Sequence, residues 1–381
     1  MVNAAVGAAP VISAWTAVSP LGLRGADFTA ALGSGRPAGR PLDPEEWSVP
    51  FREAGLVPDF HIRQILGRKG TRSMDRATGL AVTAIRHLLT GEREQEQERE
   101  QDEAERLPGV DERAGLALGT STGSAQSIMD FTRDSLVGEK PFYVDPARFP
   151  NTVMNCAAGQ SAIWHGLKGP NTTIAGGRAT GLLALQYALR LQRAGRADAV
   201  LCGAVEEFSS ARAWLEWHAR ADGDSADSAA VLGEGAAVWL LEPDASAREH
   251  GRAGLAEVAG LEFGCAADAA AARTVLAKVI GRLLDRTGVA PGELSVIADS
   301  GAPGAEGDAE RAALTDVFGE QEPPRITAAD TIGDTCAAAA AFQIATVLAL
   351  AERQDIAAGG TALVTTVDRD GVVGAALLRI R

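Results

Sequence analysis

The pattern of apolar and polar positions predicts short buried strands that are separated by helices. Apolar runs bounded by glycine or polar residues predict strands at 11–15, 114–119, 198–204 and 238–242. Over 74–89 the apolar residues recur at helical spacing, which predicts a helix with one buried face. Strands that alternate with helices in this way are typical of the α/β class.

The same order of elements occurs twice along the chain. The segments that begin at Thr173 and at Thr331 share a strand end, a small turn, an alanine-rich helix, a polar break and a further strand. Both helices, 179–191 and 336–351, are apolar on nearly all sides, which is typical of helices covered by other layers. We therefore expect two central helices between two sheets. The corresponding halves are residues 1–245 and 246–381.

Composition narrows the classes of partner. The chain has 381 residues and a formal net charge of −14 at pH 7. This negative charge argues against nucleic acid and anionic membrane surfaces as partners. The tract at 336–351 contains polar residues and favours a buried helix over a membrane span, and residues 1–15 do not resemble a signal peptide. We therefore expect a cytoplasmic protein that neither spans nor binds a membrane.

The cysteines and two polar segments complete this picture. The four cysteines lie far apart, without the spacing of a zinc site, and suit a reducing compartment. Residues 24–60 are rich in glycine and proline, so we expect a long surface excursion there. The charged run at 91–106 predicts a solvated helix extension or a disordered insertion.

One turn carries an unexpected cation. The stretch IAGGRATGLLAL at 174–185 reads as a strand end, a tight turn and a helix start, a junction at which many enzymes present a nucleophile. The turn residue here is Arg178, and a guanidinium stays protonated and cannot act as a nucleophile.

Four stretches resemble the ketosynthase branch of the thiolase superfamily. They are VISAWTAVSPLG at 11–22, MDRATGLAVTAI at 74–85, KGPNTTIA at 168–175 and LGEGAAVWLLEP at 232–243. The resemblance implies an α/β fold of the thiolase-like type, with five layers (αβαβα) and two pseudo-repeated halves. It also places Arg178 at the nucleophile position of that family.

The resemblance shows that the catalytic positions are altered. Ketosynthases use a cysteine and two histidines, and the matching positions here hold Arg178, Ser300 and Asp334. An ionised Asp334 would repel the enolate that Claisen condensation forms. We therefore expect no catalytic residues and no condensation by this chain alone, and we expect Arg178 and Asp334 to form a structural salt bridge. Two other roles for Arg178, anion binding and malonyl decarboxylation, stay open.

A family member without the cysteine resembles the chain-length factor, the ketosynthase-like β subunit of type II polyketide synthases. Arginine departs from the glutamine that is common in aromatic-type factors, which suggests the highly reducing or polyene sub-class. The resemblance implies a heterodimer with a catalytic ketosynthase and an indirect encounter with an acyl carrier protein. That carrier protein holds the phosphopantetheine, so no cofactor is expected on this chain. The alternatives are a self-sufficient acyltransferase of the superfamily with displaced catalytic residues, and a purely structural protein.

The segment after the turn at 119–123 is the predicted tunnel region. In chain-length factors this segment borders the subunit interface, and bulky side chains there close a shared tunnel. The resemblance makes Gln126, Ile128, Met129 and Phe131 the candidates for setting chain length, with ordinary interface or core packing as the alternative. The strand 172–175 is expected to pair with its equivalent in the partner.

Three further sites leave alternatives open. Cys336 is either a reactive thiol at a helix start or a small buried residue. Glu206 and Glu207 are either an acid/base pair or structural partners of an arginine. Asp308 and Glu310 match acidic residues that have a structural role in the family.

Overall fold

A computed structural model describes residues 10–34, 39–91, 106–220 and 230–381. Most of the charged run at 91–106 and the start of the chain therefore lie outside the described residues. The strands are β1 Pro10–Val18, β2 Arg40–Pro41, β3 Glu53–Gly55, β4 Gly115–Gly119, β5 Asn171–Ile174, β6 Val200–Glu206, β7 Leu232–Gly233, β8 Gly235–Pro243, β9 Ala256–Cys265, β10 Leu294–Asp299, β11 Arg325–Thr327, β12 Thr361–Val367 and β13 Val372–Ile380.

The helices connect these strands. The α-helices are α1 Gly25–Ala31, α2 Ile62–Ile65, α3 Arg76–Thr90, α4 Ala125–Val137, α5 Cys156–His165, α6 Thr180–Arg193, α7 Ser210–His218, α8 Asp244–Glu249, α9 Ala269–Thr287, α10 Gly304–Phe318, α11 Ala329–Ile332 and α12 Ala339–Glu352. Short 3-10 helices lie at Pro146–Thr152, Gly177–Ala179, Pro291–Glu293, Gly319–Gln321 and Cys336–Ala338.

The strands form one ten-stranded mixed sheet in which the topology of the first half is repeated in the second. The strand order is β5-β4-β6-β8-β1 and then β9-β13-β12-β10-β11, and the two sets meet through a short β1–β9 pairing. In the first set, β4 runs parallel to β5 and β6, whereas β8 runs antiparallel to β6 and β1. The second set repeats this pattern strand for strand. The α/β class is confirmed, and the predicted division at 245/246 falls within α8.

Strand alternation separates the core into layers. In β4, Leu116 and Leu118 face the outer helices α3 and α5, whereas Ala117 faces the central helices α6 and α12. On the far side, α9 and α10 cover the other set of strands with a third apolar cluster. Successive side chains of a strand point to opposite faces, so one apolar strand supplies two layers.

The central helices approach each other closely at a glycine. A Cβ atom on Gly181 of α6 would lie 2.5 Å from the backbone nitrogen of Ala341 in α12. The small residues of both helices therefore permit backbone contact, as their composition predicts. The described part of the chain contains no helix that is long and apolar enough to cross a membrane.

The segment 24–60, predicted as a long surface excursion, contains regular secondary structure. It contains α1 and the strands β2 and β3, which form a small three-stranded sheet with β7. Phe51 and Ala54 of this segment pack with Phe208 and Leu232 in a separate apolar cluster. The excursion is held because β3 pairs with β7, which lies next to the turn that carries Asp334.

Candidate functional site

The turn before α6 brings Arg178 into the interior. The chain leaves β5, passes Gly176, and enters the 3-10 helix Gly177–Ala179. Gly177 has a φ of +54°, and a side chain at this position would collide with Asp368. A residue without a Cβ atom meets both requirements, because only glycine adopts positive φ without cost and leaves that space free.

Arg178 and Asp334 are in direct contact. Nη2 of Arg178 donates a hydrogen bond to Oδ2 of Asp334, and the side chains are only 6% and 7% exposed. Oδ1 of Asp334 accepts the backbone N–H of Cys336 at 2.9 Å. The backbone N–H of Arg178 donates to Oδ1 of Asp368 at 2.8 Å. The structure therefore brings together the two residues that the resemblance places at the nucleophile and second-histidine positions.

The charges of this pair stabilise each other. Burial by itself would raise the pKa of Asp334, but the charges of Arg178 and Arg212 and the hydrogen bond from Cys336 hold that pKa below its ordinary value. Burial also disfavours the cation, and the charge of Asp334 overcomes it, so the pKa of Arg178 lies above its ordinary value. Both groups are ionised at neutral pH.

A second buried arginine, Arg212 of α7, also contacts Asp334. Its guanidinium donates to the backbone carbonyls of Glu207 at 2.9 Å, Gly233 at 2.7 Å and Asp334 at 2.9 Å. Its Nε lies 4.0 Å from Oε1 of Glu206. The sequence analysis did not identify Arg212. It did give an arginine as one possible partner of the adjacent Glu206 and Glu207.

Glu206 closes the network above β6. Its Oε1 accepts the hydroxyl of Ser121 at 2.8 Å, and its carboxyl also accepts the backbone N–H of Ala337. Burial raises the pKa of Glu206, and the charge of Arg212 opposes that shift. Glu206 therefore links the segment after β4 to the 3-10 turn Cys336–Ala338.

The environment of Cys336 favours the structural interpretation. Burial, reinforced by the charge of Glu206, raises the pKa of this thiol to about 12. A thiol with such a pKa carries almost no thiolate at neutral pH, and the thiolate is the reactive form. Cys336 also has a φ of +44°, which is unusual for a residue with a Cβ atom.

Ser300, which the resemblance places at the first-histidine position, belongs to a separate polar cluster. Its hydroxyl and its backbone N–H both bond to the carboxyl of Glu310, which also accepts the hydroxyl of Thr365 at 2.7 Å. Burial and then the charge of Asp299 raise the pKa of Glu310 to about 7. Asp308 lies at the surface and pairs with Arg311.

The four predicted tunnel residues lie along α4 with different surroundings. The amide of Gln126 donates to Asp130 at 3.0 Å and accepts the backbone N–H of Ala211 at 3.0 Å, so it bridges α4 and α7. Ile128 is half-buried and Met129 is 54% exposed. The ring of Phe131 packs against Phe149 with centroids 5.9 Å apart. Met129 thus belongs to the molecular surface, whereas Phe131, like Ile128, is half-buried.

An extensive apolar surface surrounds α4. It continues through the loop after α4 and the 3-10 helix Pro146–Thr152 to α5, and we call it the α4–α5 surface. Its exposed apolar side chains are Met129, Leu136, Val137, Phe142, Tyr143, Phe149, Val153, Met154 and Ile163. Strand β5 lies beside α5 at the end of the sheet, and among the described residues only β4 pairs with it. Contiguous apolar surface and an open strand edge are both typical of a protein interface.

The described residues contain no group of three or more His, Cys, Asp or Glu placed to hold a metal ion.

The comparison with protein families matches most of the first half of the chain. The model described as "Beta-ketoacyl synthase, N-terminal domain" matches residues 10–247. A 3-oxoacyl-[acyl-carrier-protein] synthase 2 from Synechocystis sp. is 29% identical over 272 residues, which cover 67% of this chain and 62% of that protein. Its counterpart from Vibrio cholerae is 30% identical over 232 residues, covering 57% and 53%. The matched region thus spans less than two thirds of the length of these relatives.

Solved structures match over nearly the whole chain. "The ishigamide ketosynthase/chain length factor" is 40% identical, with a TM-score of 0.87 and coverage of 98% of this chain and 99% of that one. A beta-ketoacyl synthase from Burkholderia phymatum has a TM-score of 0.81 at 22% identity, covering 98% and 99%. At this lower identity the likeness concerns the fold.

Proposed function

Because this chain belongs to the beta-ketoacyl synthase family and is ketosynthase/chain length factor-like, we propose that it is a non-catalytic, chain-length-determining subunit. In this proposal it pairs with a catalytic ketosynthase that extends polyketide or polyene chains by Claisen condensation. The chains are carried on the phosphopantetheine of an acyl carrier protein, which this subunit meets indirectly. The chain itself holds no cofactor.

The observation that carries the proposal is the buried Arg178–Asp334 pair. Condensation needs a thiolate that holds the acyl chain and donors that stabilise an enolate oxygen. A guanidinium supplies no nucleophile, and it is neutralised here by the carboxylate that it contacts. Arg212 adds a hydrogen bond to the backbone carbonyl of Asp334, and Glu206 lies beside Arg212. The position that would react is therefore occupied by an internal salt bridge.

The α4–α5 surface and the free edge of β5 support a partner of the same fold. The partner would add a strand to β5 and cover the exposed apolar side chains, as expected for an obligate interface. Ile128, Met129 and Phe131 would then lie at the boundary between the subunits, where side-chain volume can limit the length of a growing chain.

The test is elongation of acyl carrier protein thioesters by three samples: this chain, its partner ketosynthase, and both together. The proposal expects product only when both are present. Met129→Ala and Phe131→Ala should lengthen the main product, because each removes volume from the boundary. Leu215→Ala is the matched control, since Leu215 is equally exposed (54%) but lies on α7 outside the α4–α5 surface.

Two results would contradict the proposal. Elongation by this chain alone would favour a self-sufficient enzyme with displaced catalytic residues. Product of unchanged length from both variants, in a complex that still forms, would leave a purely structural role.

A further inference from the structure

Two adjacent glutamates at the end of β6, Glu206 and Glu207, connect the Arg178–Asp334 pair with the helix that faces the partner. Glu206 ends β6 and bonds to Ser121 and to the turn at Ala337. The carboxyl of the next residue, Glu207, lies instead at the start of α4. Two adjacent glutamates thus serve different structures, because side chains alternate in direction along extended backbone.

Helix α4 and the segment 207–211, which ends in the first turn of α7, cap each other. The carboxyl of Glu207 accepts the backbone N–H of Gln126 at 3.3 Å and lies 3.1 Å from the hydroxyl of Ser124, the residue that precedes α4. In return, the side-chain oxygen of Gln126 accepts the backbone N–H of Ala211 in the first turn of α7 at 3.0 Å. The first N–H groups of a helix lack partners within the helix, so each side chain satisfies a group that the other helix leaves open.

The same unit is attached to the Arg178–Asp334 pair. Arg212 follows Ala211 in the first turn of α7, and its guanidinium bonds to the carbonyls of both Glu207 and Asp334. A displacement of α4 relative to α7 would therefore strain bonds that end at the buried pair.

The environment of Glu207 favours its neutral, protonated carboxyl. Glu207 is only 1% exposed. Burial and then the charge of Asp75 raise its pKa to about 8, while the hydrogen bonds from Gln126 and Ser124 oppose the shift. Glu206 adds a like charge, and Arg76 lies close enough to interact with Glu207. At neutral pH the carboxyl is mostly protonated, so a neutral amide can replace it.

We propose that Gln126 and Glu207 are positioning residues, which hold α4 against α7 and thereby set where the partner-facing side chains of α4 lie. The inference rests on the proposed function, since α4 is taken to border the shared tunnel. It gives Gln126 a role through α4 rather than as part of the tunnel wall.

The test compares Glu207→Ala, Glu207→Gln and Gln126→Met in the complex with the partner ketosynthase. The alanine variant and Gln126→Met should shift the distribution of product lengths, because each removes an acceptor that holds one helix to the other. Glu207→Gln keeps a neutral acceptor and should retain the wild-type distribution. Glu320→Ala and Gln321→Ala change the same residue types at exposed positions and should have no effect.

The readout separates positioning from stability, since loss of folded protein lowers the amount of product without changing its length. Gln126 is half-buried, so Gln126→Met is expected to fold even if Glu207→Ala does not. Wild-type lengths from a folded Gln126→Met complex would overturn the inference. If Met129→Ala and Phe131→Ala still change the length in that case, the proposed function survives and only the positioning role fails.

Discussion

Removing one member of the Arg178–Asp334 pair should have different consequences according to which charge is left behind. Asp334→Asn leaves Arg178 buried as a cation that cannot release its proton. Arg178→Met keeps most of the volume of the arginine stem and leaves Asp334, which can take up a proton and become neutral. We therefore expect the asparagine variant to be the more destabilised of the two at low pH.

The magnitude follows from the burial of the pair. Breaking a buried ion pair on one side costs about 3–5 kcal/mol, which is the cost expected for Asp334→Asn at all pH values above about 5. In Arg178→Met the pKa of Asp334 rises, because the charge of Arg178, which lowers that pKa most, is absent. The loss of stability in Arg178→Met should then be small near pH 4. It should grow by about 1.4 kcal/mol for each pH unit above the unfolded-state pKa of Asp334, up to a limit similar to the cost of Asp334→Asn.

In the wild type, the contribution of Asp334 to stability changes with pH in the opposite direction. Because the folded pKa of Asp334 is depressed, its contribution to stability is complete above the unfolded pKa of about 3.9 and is lost as the pH falls through the folded pKa. The difference in unfolding free energy between the wild type and Arg178→Met should therefore widen as the pH rises from about 4 to 7.

Urea unfolding of the wild type, both single variants and the double variant at several pH values measures these quantities. The double variant should cost less than the sum of the singles, because it leaves no unpaired charge. Additive costs, or a cost below about 1 kcal/mol for Asp334→Asn, would refute the reasoning, since a buried unpaired guanidinium must be expensive.

Two further predictions concern the interior. Gly181→Ala should destabilise the protein by about 1–3 kcal/mol, because its Cβ atom would meet the backbone of α12. Gly281→Ala on α9, where a Cβ atom meets nothing within 4 Å, should instead stabilise the protein by about 0.5–1 kcal/mol. Thermal unfolding of both variants measures the two effects. Burial and the charge of Asp299 raise the pKa of Glu310 to about 7, so the folded state binds more protons than the unfolded state and stability falls as the pH rises. Glu310→Gln should remove this pH dependence. Between pH 4.5 and pH 8, its free energy of unfolding should rise by about 3 kcal/mol relative to that of the wild type, as measured by urea unfolding.

Sequence reasoning reached the parts of the molecule that depend on periodicity and on opposite charge. The apolar helices α6 and α12 had to be covered by other layers. Arg178 and Asp334 matched two positions that meet in the family, and a buried arginine needs a carboxylate. Both statements depend on local composition and on a motif, which a single sequence displays.

The contacts of α7 could not be predicted in this way. The sequence SARAWLEWH does not reveal that Arg212 turns inward, because that depends on three backbone carbonyls from other parts of the fold. The strands β2, β3 and β7 are likewise two or three residues long, and they exist because tertiary packing aligns them. Gln126 looked like a bulky residue on an interface helix, and its bond to Ala211 becomes visible only when α7 is in place.

Arg178 and Asp334 lie at corresponding turns of the two halves of the chain. The 3-10 turns before α6 and α12 correspond, since each begins with a residue at positive φ, Gly177 at +54° and Cys336 at +44°. The counterpart of Arg178 is therefore Ala337, and Asp334 lies before the second turn. A single substitution at Arg178 or Asp334 leaves a buried charge unpaired, and it weakens the packing of both turns at once. The Arg178–Asp334 contact thus joins a turn of the first half to a turn of the second half.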